Sequence, residues 1–295
     1  MAAPLRGTQS LVGQMGWVRD RPSLTLIEIT WRWLFGIPFL AVCWMQSQKI
    51  LAVLPPESAG LGSVDGQNPW VAAVQLAHAA ALYQPYVSAL LRWLAPVAAL
   101  AWVIISGVGR SLVFKRLDPK LPFRPLSMMV LHAAWLVAQG LTCWAWFRAV
   151  VWAASTHILP NTEPDLIGFS FWAIFLSLGF FTFWAFSSWP FLIAPLVMLR
   201  EGRSALSSLA KSLRLGKDFT GKLMEINLVM GIANLALIIL AMVFSAAPLP
   251  FSDQLGTDTL HVVWLAATVF YLVASDYFQV VRLKSFLEFW KMFRT

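Results

Sequence analysis

The sequence predicts an all-α integral membrane protein: six transmembrane helices, short amphipathic interfacial helices, and both termini in the cytoplasm. Three observations carry that prediction. Of 295 residues, 59% are hydrophobic and 12% charged, with a mean hydropathy of +0.68, against roughly 45–50% apolar and about 25% charged in soluble domains. Apolar runs of about 20 residues recur, the length that crosses a bilayer core, and they lack the alternation of barrel strands. Finally, the basic residues are segregated. Arg110, Lys115, Arg116, Lys120 and Arg124 share one loop, and Arg200, Arg203, Lys211, Arg214, Lys217 and Lys222 a second. Arg282, Lys284, Lys291 and Arg294 follow the last run, and residues 50–91, 149–199 and 223–281 contain no Lys or Arg. Cytoplasmic loops accumulate Lys and Arg, so six spans place every basic segment on that side.

The elements follow in order. Residues 1–22 read as a mobile cytoplasmic N-terminus ahead of a six-span membrane domain over 23–281. The first apolar run starts late and extends far for a cleaved signal peptide, which predicts a retained signal anchor. Thr25 and Glu28 have capping-box spacing, so span one runs over 25–54, with Glu28 and Arg32 placed to pair at i, i+4. Asn68-Pro69-Trp70 is a helix start, opening an Ala-rich interfacial helix that Pro85 interrupts. Span two covers 86–108, span three 126–152, and span four 168–199 with a kink at Pro190 or Pro195. Spans five and six cover 223–246 and 260–281. Residues 282–295 form an amphipathic cytoplasmic tail, with Leu283, Phe286, Leu287, Trp290 and Phe293 opposite Lys284, Glu288 and Lys291.

Two candidate sites emerge. Wound as a helix, Arg203 to Leu215 puts Arg203, Ser207, Lys211 and Arg214 on one face and Leu206, Leu209 and Leu213 on the other, a basic amphipathic helix for the headgroup boundary. Arg203, Lys211, Arg214, Lys284 and Lys291 are therefore candidate contacts to anionic lipid of the cytoplasmic leaflet or to a membrane protein partner. The simpler alternative is that they only fix topology. Nucleic acid is disfavoured, because no aromatic platform accompanies the charges. The second candidate comprises polar residues inside spans: Glu225, Asn234 and Asp276. Intramembrane carboxylates mark ion or proton pathways, or simply pair with Arg200, Arg203 or Arg282.

No catalytic motif is found: no Gly-rich phosphate loop, HExxH, CxxC or GxSxG. His78, His132, His157 and His261 are scattered, and two cysteines, Cys43 and Cys143, make no metal-site spacing or disulfide framework. No catalytic residue, metal or cofactor is assigned. Trp31, Trp33, Trp144, Trp146, Trp152 and Trp290 fall near expected interfaces, as an aromatic belt does.

The stretch APLVMLREGRSALSSLAKSLRLGKDFTGKLMEINLV also carries a resemblance. Pro195, Ala205, Lys211, Ser212, Leu215 and Gly216 fill a pattern similar to the region between spans four and five of a broad bacterial superfamily of six-helix membrane proteins. That superfamily includes the membrane domain fused to some glycerophosphodiester phosphodiesterases. The resemblance implies the six-span layout; this chain has no soluble phosphodiesterase domain, so it implies no such activity. The expected function is a non-enzymatic accessory or organising component of the bacterial cytoplasmic membrane. The alternatives are a small transporter or channel using Glu225 and Asp276, and a lipid-modifying membrane enzyme.

Overall fold

The computed structural model describes residues 7–63, 69–158, 165–214 and 257–294, with single positions 221, 225, 229, 230, 232 and 236. Among the described residues regular structure is helical, with no strand. In chain order the helices are α1 (Gly7–Arg19), α2 (Pro22–Val53), α3 (Pro69–Leu117), α4 (Pro125–His157), α5 (Leu166–Ser187), α6 (Trp189–Glu201), α7 (Ala205–Ser212) and α8 (Thr257–Arg294).

Five helical stretches are long and apolar enough to cross a membrane: Pro22–Val53, His78–Leu117, Pro125–His157, Ile167–Glu201 and Val262–Lys291. They match spans one, two, three, four and six. Span five, 223–246, and Asn234 within it lie outside the described residues apart from isolated helical positions. The distribution of side chains is that of a membrane protein. Leu34, Trp44, Phe171 and Phe181 face outward, while Glu28, Ser106, Ser111 and Asp276 are buried. Apolar surface on this scale is not left to water.

The chain forms two compact units, residues 31–106 and a second made of residues 1–30 and 107–295. In the first, the Tyr83 hydroxyl donates to the Leu54 carbonyl at 3.0 Å, and Ala59 and Ala79 are buried. In the second, α4 packs on α5, α6 and α7, and α1 packs on α8. Gly107 permits the approach of α3 to α4 there: a Cβ on it would lie 3.0 Å from the Met129 backbone nitrogen.

Several boundaries differ from the sequence expectation. The N-terminal segment is not an irregular arm: Gly7–Arg19 is helical, with Leu11 and Val18 buried. The Tyr277 hydroxyl donates to the Met15 carbonyl at 2.8 Å, tying α1 to α8. The capping box is displaced, because α2 starts at Pro22, whose fixed φ and missing N–H suit a first helical turn. Pro85 does not end a helix: α3 runs through Pro85 and Pro96, since strong formers around them outweigh one lost hydrogen bond. The separate interfacial helix before Pro85 is therefore the first part of α3. Span four breaks at Ser188, where Pro190 falls in the first turn of α6. The tail is not a separate element either. No Gly or Pro lies between Thr257 and Arg294, so nothing stops α8 at the end of span six.

Candidate functional site

The turn from α6 into α7 builds the strongest candidate. Gly202 ends α6 in the left-handed region, φ +69°, a conformation that ends helices and that a side chain disfavours. Ser204 then caps α7, its hydroxyl accepting from the Ser207 N–H at 3.4 Å. Helical spacing sorts the next eight residues into two faces. Ala205, Ser208 and Ser212 are buried on the side that meets α6 and α4. These residues are small, so the backbones approach closely. Their hydroxyls stay satisfied on the helix's own carbonyls, Ser208 on Ser204 at 2.7 Å and Ser212 on Leu209 at 2.6 Å, which makes their burial tolerable. The opposite side carries Leu206, 64% exposed, and Leu213, 62% exposed, with exposed Arg203, Ser207 and Arg214 beside them.

The expected basic surface is rearranged by ion pairs. Glu201 accepts both Arg203 Nε at 2.7 Å and Lys211 Nζ at 2.5 Å. Asp118, in the loop after α3, takes Arg200 at 2.5 Å and Lys291 at 3.7 Å. Glu288 takes Lys284 at 2.5 Å and Lys291 at 3.1 Å. Arg124 donates to the Arg203 carbonyl at 3.5 Å. Three carboxylates thus join the loop after α3, the α6–α7 turn and the end of α8. Burial raises the Asp118 pKa, but the Lys120 N–H, Arg200 and Lys291 outweigh it and hold the carboxyl below its ordinary 3.8.

The tail candidates are therefore corrected. Lys284 is buried, its ammonium 4.1 Å above the Trp17 ring, with the Arg21 guanidinium also 4.1 Å from that ring. Leu283, Phe286, Leu287 and Trp290, on the apolar side of the expected amphipathic tail, are buried in the protein. The spacing was amphipathic, but a helix with an apolar stripe packs equally well on α1 as on a bilayer. Lys291 is exposed in part yet engaged by two carboxylates.

Two of the intramembrane candidates lie among the described residues. Asp276 is buried on α8, 3% exposed, and Glu225 is a half-buried helical position. Of the arginines offered as partners, Arg200 meets Asp118 and Arg203 meets Glu201, while Arg282, six residues after Asp276 on α8, also donates to Gln279. A pair that sequence reasoning missed is Glu28 with Arg110, two contacts of 3.2 and 3.3 Å. The i, i+4 rule named Arg32 as a partner for Glu28; the signal for Arg110 was only that both charges fall at the basic ends of their spans.

Of the histidines, His157 faces Asp165 at 3.1 Å. Asp165 caps α5; the Gly168 N–H, then His157, hold its carboxyl below the ordinary carboxylate range. Among the described residues no three His, Cys, Asp or Glu side chains converge as a metal set. Cys43 and Cys143 are free thiols. Comparison with family models, curated proteins and solved structures found no match.

Proposed function

We propose that this chain is a non-enzymatic accessory or organising protein of the bacterial cytoplasmic membrane. In this reading it holds both termini in the cytoplasm and contacts anionic lipid through α7. The observation that carries the reading is the division of α7: a small-residue face seated on the protein, and leucines turned outward between arginines. Leu206 and Leu213 would enter the acyl boundary while Arg203 and Arg214 meet headgroup phosphates. Full burial of a leucine contributes about 2 kcal/mol, and each cation near an anionic leaflet about 1 kcal/mol. The side of the membrane rests on the segregation of Lys and Arg. Membership of the six-helix superfamily that Pro195 to Gly216 resemble belongs to the same proposal.

The ion pairs narrow the contact. Lys211 and Lys284 are held by Glu201 and Glu288 with side chains 30% and 9% exposed, and Lys291 bridges Glu288 and Asp118. Arg203 also touches Glu201, but its side chain stays 46% exposed beside the leucine face, so it and exposed Arg214 supply the headgroup charge. The test is native mass spectrometry of protein released from phosphatidylglycerol-containing nanodiscs. Arg203→Gln with Arg214→Gln should lower retained phosphatidylglycerol roughly tenfold or more, as about 2 kcal/mol requires, and Lys284→Gln should leave it unchanged. Equal retention by the arginine variant and the wild type would refute the lipid reading.

One observation favours a second reading, a small transporter: the burial of Asp276 on an apolar helix, a costly placement often tied to ion movement. Liposome pH-flux measurements on Asp276→Asn against the wild type decide it. A flux abolished in the variant at equal protein level establishes transport, and no flux in either removes it.

A further inference from the structure

The surface where α4 meets α5 carries polar groups at a depth where a membrane-crossing helix is ordinarily apolar. Gln139, Thr142 and Cys143 of α4 and Ser177 of α5 line a groove of about 400 Å³. Its walls are aromatic, with Trp146 on one side and Phe181 and Trp184 on the other. Trp184 is steadied by an edge contact with Trp135, their ring centroids 6.1 Å apart. Both helices belong to the same compact unit. The α4 residues that line it, Gln139 to Trp146, lie along the middle of that helix.

A hydrogen-bond inventory shows what the groove lacks. The Trp146 indole N–H donates to Ser177 Oγ at 2.9 Å and bridges the two helices. Ser177 thereby serves as acceptor and keeps its own O–H to donate. Thr142 is satisfied, its hydroxyl donating to the Ala138 carbonyl at 2.9 Å. Gln139 is not: its amide reaches Cys143 Sγ at 3.5 Å, and a thiol sulfur is a weak acceptor. A primary amide in a hydrocarbon setting is costly without a partner, and a saturated acyl chain supplies none. Two donors, the Gln139 amide and the Ser177 hydroxyl, thus stand between aromatic faces in a space of the size that holds small ligands, roughly 300–1,000 Å³.

We propose that the α4–α5 groove binds a membrane-soluble molecule of the quinone class, a planar ring bearing carbonyl oxygens on an apolar tail. The ring stacks against the indole and phenyl walls, its carbonyl oxygens accept from Gln139 Nε2 and the Ser177 hydroxyl, and the tail leaves toward lipid. The proposal is one of binding alone; no electron or proton transfer is assigned. It does not depend on the lipid contact of α7.

The test is equilibrium binding to the full chain in phosphatidylcholine nanodiscs. The probe is a benzoquinone substituted at every ring carbon, one substituent being a short alkyl tail, so that it cannot add to Cys143. Bound probe is measured against empty discs. The expected result is saturable uptake of one probe per chain, weakened about tenfold by Gln139→Leu, the scale of one lost hydrogen bond in an apolar site. Ser177→Ala should weaken it too, and the matching alkylbenzene should not displace it. Gln139→Leu exchanges a polar for an apolar side chain on a membrane-facing helix, so its fold should survive; monodisperse elution and an unchanged helical spectrum check this. Should it not survive, Ser177→Ala carries the test. Uptake equal to that of empty discs, indifference to the folded variants, or displacement by the alkylbenzene overturns the proposal; the last result makes the groove a seat for any lipid tail.

Discussion

Glu28 is 0% exposed and its carboxylate rests on Arg110, so the pair works through what happens when one member is lost. An uncompensated buried charge costs about 3–5 kcal/mol, whereas removing both members at similar volume is often neutral. Arg110→Leu should therefore lower the thermal midpoint in detergent sharply, and Glu28→Gln with Arg110→Leu should recover most of the loss. If the double variant were no better than the single, the pair would not be coupled. Glu28 was legible in the sequence as a costly residue in a span. Its contact with Arg110 was not, because Arg110 lies 82 positions away and local spacing reports only neighbours on the same helix. The same limit hid Trp17, whose ring meets both Arg21 and Lys284: a pattern reports that Lys284 is polar, not that an aromatic from another helix covers it.

At the level of elements, the α6–α7 turn and the end of α8 decide how the basic region is built. Gly202 has open space around a would-be Cβ, with Arg124 Nη2 nearest at 3.9 Å, so Gly202→Ala tests conformation rather than clash. A left-handed backbone costs a side chain about 1–2 kcal/mol, and the unfolding free energy should fall by that amount; Gly202→Asn should cost less. No change would mean that the turn relaxes freely and does not fix α7. The Asp118 lattice makes a pH prediction whose sign follows from its lowered pKa. A depressed carboxylate contributes stability above its unfolded value that is lost as pH falls through the folded one. Wild type should exceed Asp118→Asn in thermal stability from neutral pH down to about 5, and the gap should close below about 4. A gap constant from pH 7 to 3 would exclude the carboxylate charge as its cause. The element pattern was largely legible. Where it failed, at Pro85 and after Val281, the sequence offered a breaker that the helix absorbed, and no breaker at a boundary drawn from charge alone.

For the whole molecule, composition decided the class, and five of the six expected spans have helices long and apolar enough to cross a membrane. Net segregation of Lys and Arg is a whole-chain signal and survives errors in individual helix ends. The candidate lipid surface was legible in part. Helical spacing picked out Leu206, Leu209 and Leu213; the first and last are exposed and Leu209 is half-buried, but the same reasoning grouped Leu283, Phe286 and Leu287, which are buried. Amphipathicity reports a face that seeks cover without naming the cover. The central claim, that a membrane covers the leucine face of α7, is tested most directly by depth. An environment-sensitive fluorophore at Leu213→Cys, in a chain with Cys43 and Cys143 replaced by Ala, is read in nanodiscs containing brominated phosphatidylglycerol. The claim requires a blue-shifted emission that the brominated chains quench, with Ser207→Cys at the helix's polar side quenched less. Emission as in water at both positions, unquenched, would place α7 away from the bilayer and contradict it.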